Sequence, residues 1–235
     1  MADFARYSTG PSAEWLRFDK TWKWPEAIPT ITIREARDQA NRKTAKLFAN
    51  ILGRPDTGLE VTDFDIPTTN GVKIPIRLYR PLKEDSGSCP ESPALYISFH
   101  GGGYHFGSLE TEDPHCRQTA LNTAGQGSNG LRRNDLSTAS TRKRYSSGGV
   151  SAGANLAISV ALRALRDDSL PSVKGLVLGT PSAVHPDHFP VELLKGGQSF
   201  LELHKDAPFI NAQKLRNPID LYRPDPTDPS FSPLL

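Results

Sequence analysis

Cysteine, long apolar runs and net charge are all scarce in this sequence. Its 235 residues include two cysteines, Cys89 and Cys116, which is typical of free thiols in a reducing compartment, and we expect a cytoplasmic protein. No stretch reaches the roughly 18 apolar residues that a membrane span needs, and the N-terminus lacks the pattern of a signal peptide. The 28 basic and 26 acidic residues leave a net charge of +2, which excludes a generally basic nucleic-acid binder.

Residues that favour turns are, by contrast, plentiful. The 20 prolines and 19 glycines indicate many loops, and only 37% of the residues are hydrophobic. The charged share of 23% is nevertheless ordinary for a globular chain, so wholesale disorder is not expected. The length suits one domain, with room for an appended cap.

One helix is well marked in the first quarter of the chain. Thr32 and Glu35 have the spacing of a helix capping box. The apolar residues that follow recur at helical spacing until Gly53, which ends the run.

A hairpin is predicted next. Residues 59–67 and 72–79 alternate apolar and polar side chains. Between them, Asn70-Gly71 is a strong hairpin signal. Pro75 within the second run indicates an edge strand or a bulge.

Two short apolar runs, residues 94–99 and 173–178, are typical of buried strands in a parallel sheet. Residues 152–166, between these runs, predict a helix with a face of small residues. Residues 182–235 indicate mixed helix and loop, and 222–235 contain too many prolines for regular structure.

Residues 122–147 fit none of these patterns. Few of them are apolar, while serine and basic residues are frequent. Neither a strand nor an amphipathic helix is predicted, and we expect an irregular segment. Such a composition is typical of sequence read in a wrong frame or across a mis-spliced junction; a divergent loop is the alternative.

A G-x-S-x-G pattern, Gly149 to Gly153 with Ser151 at its centre, comes directly before the predicted helix. A serine on a sharp strand-to-helix turn needs small neighbours because the backbones approach closely there, and the turn exposes its hydroxyl above the sheet. Taken alone, the pattern has little specificity in a glycine-rich chain, and the residues before it make a poor strand.

The second motif, His100 followed by Gly101, Gly102 and Gly103, directly follows a predicted strand. Consecutive glycines let backbone N–H groups converge on one point, as a developing oxyanion requires. A flexible loop is the plainer interpretation of a lone glycine run. The two motifs together, each beside a suitable element, are more specific than either one.

The segments HGGGYHFGS and GGVSAGANLA resemble the α/β-hydrolase fold-3 family, the hormone-sensitive-lipase-like esterases. The resemblance covers residues 60–121 and 145–235. It implies an α/β-hydrolase fold, with a mostly parallel sheet flanked by helices and helical cap segments. Residues 1–55 would be N-terminal cap helices and 56–235 the core, with 182–215 as a cap insertion.

The resemblance also implies roles for matching positions. Ser151 matches the nucleophile, which attacks an ester carbonyl and becomes acylated. The remaining matches are the oxyanion-hole donors Gly101, Gly102 and Ala152, the loop supports His100 and Gly103, and the elbow glycines Gly149 and Gly153. No metal or cofactor is implied, and the expected partner is a small-molecule ester or another hydrophobic ligand.

The chain departs from the family pattern in two respects. The family carries a strand, a helix and a YRLAPE-like signature between the two motifs, and residues 122–147 show none of these. The chain also stops at Leu235, before the family's catalytic acid and histidine. The downstream histidines His185, His188 and His204 follow no predicted strand and are interpreted as surface or packing residues.

We therefore expect an incomplete fold with feeble or absent activity. Two alternatives stay open. One is a catalytically dead protein that binds a small hydrophobic molecule in the same pocket. The other is a fragment from a faulty gene model.

Overall fold

The structure is a computed structural model that describes residues 12–21, 32–82, 95–124, 144–193, 199–203, 205–207 and 210–235. The chain divides into two compact units, residues 1–36 and 37–235. The first unit contains helix α1 (Ala13–Thr21) and the start of helix α2 (Ile33–Leu52). Among the described residues, no helix is both long and apolar enough to cross a membrane.

Helix α2 begins and ends as the capping rules predict. The Thr32 N–H donates to the Glu35 carboxylate over 2.8 Å, and the Glu35 N–H donates back to Thr32 Oγ1 over 3.3 Å. The predicted capping box is therefore confirmed. The hydrogen bond from the Thr32 N–H also lowers the pKa of Glu35. Gly53, with a φ of +72°, ends the helix in the left-handed region.

The predicted hairpin is confirmed, because strands β1 (Leu59–Pro67) and β2 (Lys73–Pro81) pair antiparallel. Gly71 in the turn has a φ of +82°, which favours a residue without Cβ. Pro75 faces Asp65 in an unbroken register. Since the sheet has two strands in the described part of the chain, Pro75 lies on an edge strand and not at a bulge.

A second, parallel sheet has the order β3-β4-β5 within the described residues. Strands β3 (Tyr96–Phe99) and β5 (Ser172–Gly179) confirm the two predicted apolar strands, and β4 (Arg144–Val150) lies between them. Strand β3 is half buried and not fully buried as predicted, because it has a single neighbour in the described sheet. Helix α4 (Ala152–Arg166) follows β4 over the predicted range and buries its small-residue face.

The expectation that residues 122–147 lack regular structure is wrong at both ends. Helix α3 (Leu109–Ala124) extends past residue 122, and the central strand β4 begins at Arg144. Residues 125–143 lie outside the described residues. The interpretation failed because β4 is built from small residues: Ser147 is fully buried, and a Cβ on Gly148 would stand 2.4 Å from the Val177 carbonyl oxygen. Packing against close neighbours therefore determines that these residues form a strand, and intrinsic strand propensity does not.

Helix α3 was not predicted, and a buried ion network fastens it to the hairpin. Asp113 on α3 is 1% exposed. Its carboxylate accepts hydrogen bonds from Arg54 (2.6 Å), Arg77 (3.1 Å), Tyr79 (2.9 Å) and Arg117 (2.8 Å). Burial alone would raise the pKa of Asp113, but hydrogen bonds from Arg54, Arg117 and Tyr79 outweigh it and lower that pKa.

The last part of the chain is mixed helix and loop, as predicted. It contains short 3₁₀ turns at Pro186–His188 and Val191–Leu193 and the helices α5 (Phe200–Leu203) and α6 (Ala212–Tyr222). The proline-rich end has no regular elements beyond Tyr222, yet Phe231 and Ser232 within it are 5% and 0% exposed. The boundary expected near residue 55 and the cap insertion at 182–215 stay predictions.

Candidate active site

Ser151 lies at the turn between strand β4 and helix α4. Its φ of +55° and ψ of −119° strain a residue that is not glycine, and such strain is typical of a nucleophile elbow. The Ser151 N–H donates to the Gly179 carbonyl over 2.8 Å, and the Ser151 carbonyl accepts from the Asn155 N–H over 3.1 Å. These bonds hold the elbow between the end of β5 and the first turn of α4.

The elbow glycines are required by contacts between backbones. A Cβ on Gly149 would lie 2.4 Å from the Phe99 carbonyl oxygen. On Gly153 it would lie 2.1 Å from the same oxygen and 2.6 Å from the His100 carbonyl oxygen. Strand β3, the elbow and α4 therefore touch backbone to backbone, which is the physical reason for the G-x-S-x-G spacing.

The glycine loop after β3 lies beside the elbow. Strand β3 runs parallel to β4 with Phe99 opposite Gly149, so the residues that follow, Gly101 and Ser151 among them, leave the sheet side by side. A Cβ on Gly101 would stand 3.0 Å from the Val150 carbonyl oxygen. The two sequence motifs thus meet at the carboxyl edge of the sheet.

The same loop folds back on itself. Gly102 and Gly103 have φ values of +127° and +60°, and the Phe106 N–H donates to the Gly102 carbonyl over 2.7 Å. His100 Nδ1–H donates to the Gly101 carbonyl over 2.9 Å. The expected role of His100, to organise the loop without serving as the catalytic base, stays a prediction.

Ala152 opens helix α4 and is 3% exposed. Backbone N–H groups in the first turn of a helix have no intrahelical acceptor, and the positive end of the helix dipole favours a developing anion. The oxyanion-hole roles of Gly101, Gly102 and Ala152 stay predictions that this arrangement allows.

Among the described residues, the Ser151 hydroxyl caps no backbone group and has no histidine partner. Nδ1 of His185 accepts a hydrogen bond from the Asp187 N–H over 3.2 Å. The neutral His185 ring therefore carries its own proton on Nε2, so that nitrogen cannot accept a proton from a serine hydroxyl. The His185 ring packs edge-on against His188, 5.8 Å between centroids, and His204 lies outside the described residues.

Thiol and metal chemistry have no support in the parts of the chain that the structure describes. Cys116 is a free cysteine, as predicted, and burial raises its pKa to about 11, so its thiol is a poor nucleophile at neutral pH. Cys89 lies outside the described residues. No group of three or more described histidine, cysteine or acidic side chains could hold a metal ion.

Sequence reasoning missed several residues that surround the site. Tyr104 follows the loop glycines and packs against Tyr222 and Phe231, and burial raises the pKa of its phenol. Asn155, 1% exposed, is a polar residue on the small-residue face of α4. That polar position, and the aromatic residue at 231 in an otherwise proline-rich segment, were the available signals.

Comparison with known families agrees with this architecture. A family model for the α/β hydrolase fold matches residues 129–235. The chain has the α/β-hydrolase fold. The parallel sheet flanked by helices agrees with that assignment, and the predicted fold class is confirmed.

Three curated relatives are similar to parts of this α/β-hydrolase chain. Ethyl acetate hydrolase of Pseudomonas putida is 35% identical over 79 residues, 34% of this chain and 24% of that protein. Versiconal hemiacetal acetate esterase of Aspergillus parasiticus is 32% identical over 140 residues, 50% of this chain and 42% of that protein. An AB hydrolase superfamily protein of Schizosaccharomyces pombe is 26% identical over 235 residues, 89% of this chain and 66% of that protein. The chain therefore spans less than two thirds of the length of these relatives.

Solved structures share the fold. Vibralactone cyclase superposes with a TM-score of 0.75 at 21% identity, over 95% of this chain and 73% of that one. The Pyrobaculum calidifontis esterase gives a TM-score of 0.64 at 24% identity, over 89% of this chain and 71% of that one. At these identities the likeness shows the fold alone.

Proposed function

We propose that this site hydrolyses carboxylic esters by serine acyl transfer. Ser151 Oγ attacks the ester carbonyl carbon, and the N–H groups of Gly101, Gly102 and Ala152 stabilise the oxyanion that forms. The carbon–oxygen bond to the alcohol then breaks, and the alcohol leaves. Water attacks the acyl-serine, releases the carboxylic acid and regenerates Ser151. No metal or cofactor takes part.

The observation that carries the proposal is the backbone contact between the two motifs. Gly101 lies against the Val150 carbonyl, where a Cβ would be tight at 3.0 Å, and Gly153 lies against the Phe99 and His100 carbonyls, where a Cβ would clash. Either motif alone is compatible with an ordinary loop. Their contact across adjacent parallel strands supports a site in which the Ser151 hydroxyl and the N–H donors act on the same substrate carbonyl group.

We propose a small ester with a short acyl group as the substrate. The names of two relatives, ethyl acetate hydrolase and versiconal hemiacetal acetate esterase, both describe acetate esters. p-Nitrophenyl acetate is therefore the first substrate to assay.

The proton of the Ser151 hydroxyl needs an acceptor, because an alcohol is a weak nucleophile at neutral pH. The described histidines supply none at hydrogen-bonding distance. We therefore expect the 235-residue chain to turn over slowly, about 10³-fold or more below an esterase with a complete triad. Added imidazole, a diffusible base, should increase the rate.

A p-nitrophenyl phosphonate ester tests the assignment directly. Attack by Ser151 on phosphorus releases p-nitrophenolate and leaves a stable phosphonyl serine. We expect slow, stoichiometric labelling of the peptide that contains Ser151, faster with imidazole, and mass spectrometry identifies the position. S151A should not be labelled, whereas S169A, which changes an exposed turn serine, should behave as the wild type. Labelling of S151A at the wild-type rate, or no adduct on Ser151 even with imidazole, would show that the proposal is wrong.

One observation favours a second candidate function. Because Ser151 has no histidine partner among the described residues, the same site could bind a small hydrophobic ligand without turnover. Saturable binding of the phosphonate ester in a calorimetric titration, with no labelling under any condition, would favour this binding function over hydrolysis.

A further inference from the structure

We propose that Phe231 is a positioning residue that holds the oxyanion loop and the nucleophile helix α4 in one arrangement. The inference rests on the proposed function, in which both elements act on the same carbonyl group. Phe231 is 5% exposed and contacts both elements. Its ring meets Tyr104 of the oxyanion loop, and its carbonyl accepts a hydrogen bond from Asn155 of α4.

The ring of Phe231 helps to fix Tyr104, the residue that directly follows the loop glycines. The centroids of the Phe231 and Tyr104 rings are 5.2 Å apart. The Tyr222 ring also stacks on Tyr104, with 4.7 Å between centroids and 11° between the ring planes. Tyr104 has a φ of +64°, a backbone conformation that persists in a non-glycine residue when its surroundings over-determine it. The preceding Gly103 is also confined, because a Cβ there would lie 2.8 Å from Pro218 Cβ on helix α6.

The carbonyl of Phe231 connects to the elbow through Asn155. The Asn155 side-chain amide donates to the Phe231 carbonyl over 2.7 Å and to the Ser182 carbonyl over 2.6 Å. Its own backbone N–H donates to the Ser151 carbonyl. Asn155 therefore joins the Phe231 carbonyl, the loop after β5 and the nucleophile turn.

The turn that carries Phe231 is itself held firmly. The N–H groups of Phe231 and Ser232 donate to the Asp228 carbonyl over 2.9 and 2.7 Å. Ser232 Oγ donates to the Pro226 carbonyl over 2.6 Å and accepts from the His185 N–H over 3.0 Å. A turn held by these bonds, three within it and one from His185, is a rigid support for the two site elements that contact it.

Rigidity matters here because oxyanion donors act only at close range. They must lie within about 3 Å of the oxygen, and a displacement of about 1 Å can cost about 100-fold in rate. The loop is also held by the bond from the Phe106 N–H to the Gly102 carbonyl and by two bonds between Gly107 and Asn41 of helix α2, but these bonds do not connect it to helix α4. Phe231 thus restricts the loop relative to the nucleophile that it must serve.

Amide hydrogen exchange tests this coupling without requiring activity. N155L keeps the size of the side chain and removes both of its donors. We expect N155L to raise the exchange rates of the Phe106 and Gly107 amides in the oxyanion loop about fivefold, the factor that corresponds to one net hydrogen bond. The Asn155 side chain bonds to neither amide. Y222F keeps the ring stack on Tyr104 and should leave these rates unchanged.

The rate of phosphonate labelling of Ser151 distinguishes a positioning role from a purely structural one, because a change in stability alone would not lower it. We expect F231L to lower the labelling rate constant at saturation by about 100-fold, with little change in the half-saturating concentration. Y79F, which loses a hydrogen bond to Asp113 instead, controls for lowered stability. It should be labelled as the wild type is.

Unchanged exchange in the oxyanion loop of N155L would overturn the proposal, as would equal losses of labelling in F231L and Y79F. If N155L does not fold, the exchange rate of the Asn155 backbone amide is measured in F231L instead. A raised rate supports the coupling, and an unchanged rate contradicts it. Failure of the wild type to be labelled would contradict the proposed function alone, because the exchange measurements still test the coupling.

Discussion

Replacement of Asp113 by asparagine tests whether the buried ion network holds helix α3 against the β1–β2 hairpin. D113N keeps the shape of the side chain, removes its charge and turns an amide N–H₂ toward arginine donors. Loss of one partner from a buried ion pair costs about 3–5 kcal/mol, because the other charge stays buried without compensation.

The structure places this variant at the lower end of that range. Arg77 keeps two further carboxylates, each at 2.7 Å. Arg54 is 48% exposed, so water can solvate it. Arg117, 7% exposed, keeps Asp56 at 3.3 Å. Because the guanidinium groups remain partly compensated, we expect D113N to lose about 3 kcal/mol of unfolding free energy.

Urea unfolding, followed by circular dichroism, measures this loss. D63N is the matched control, because Asp63 bonds to the same Arg77 but is 54% exposed. Exposed pairs of this kind contribute about 0.2–1 kcal/mol. An unchanged m-value would show that the compared states are the same. If D113N loses no more than D63N, the buried network does not stabilise the fold as argued.

Two further predictions concern pH and close packing. The pKa of Asp113 is lowered in the folded state, so its stabilisation is present above the ordinary pKa of about 3.9 and is lost as pH falls through the folded value. D113N should therefore show a shallower fall of unfolding free energy below about pH 4, and a steeper fall would contradict this. G153A should fail to reach a stable folded state, because its Cβ would lie 2.1 Å from the Phe99 carbonyl oxygen. G175A, whose Cβ would have no neighbour closer than 3.3 Å, should melt within a few degrees of the wild type.

The elements that sequence patterns predicted correctly are those whose signals are local. The capping box needs Thr32 and Glu35 alone, and the hairpin turn needs Asn70 and Gly71 alone. Helix α4 shows its small-residue face within its own fifteen residues. In each case the interacting groups lie within a few positions of one another, so no knowledge of the tertiary structure is required.

The elements that were missed depend on distant partners. Helix α3 has an internal proline, and Asp113 is held by residues that lie 34 to 59 positions earlier in the chain as well as by its own helix neighbour. The contacts of Phe231 span 76 positions to Asn155. No periodicity within a segment reports such contacts, and the residue types concerned have several plausible roles.

Strand β4 shows why a weak local signal and a functional site coincide. Its residues Ser147, Gly148 and Gly149 have low strand propensity, and this made the residues before the G-x-S-x-G pattern look unsuitable. Yet the Val177 carbonyl oxygen lies so close to Gly148, and the Phe99 carbonyl oxygen so close to Gly149, that a Cβ at either position would clash. The elbow requires that closeness, because it brings the glycine loop after β3 against the turn that carries Ser151. A run of small residues before a G-x-S-x-G pattern therefore favours a strand packed tightly between neighbours, and it should count toward an elbow and not against one.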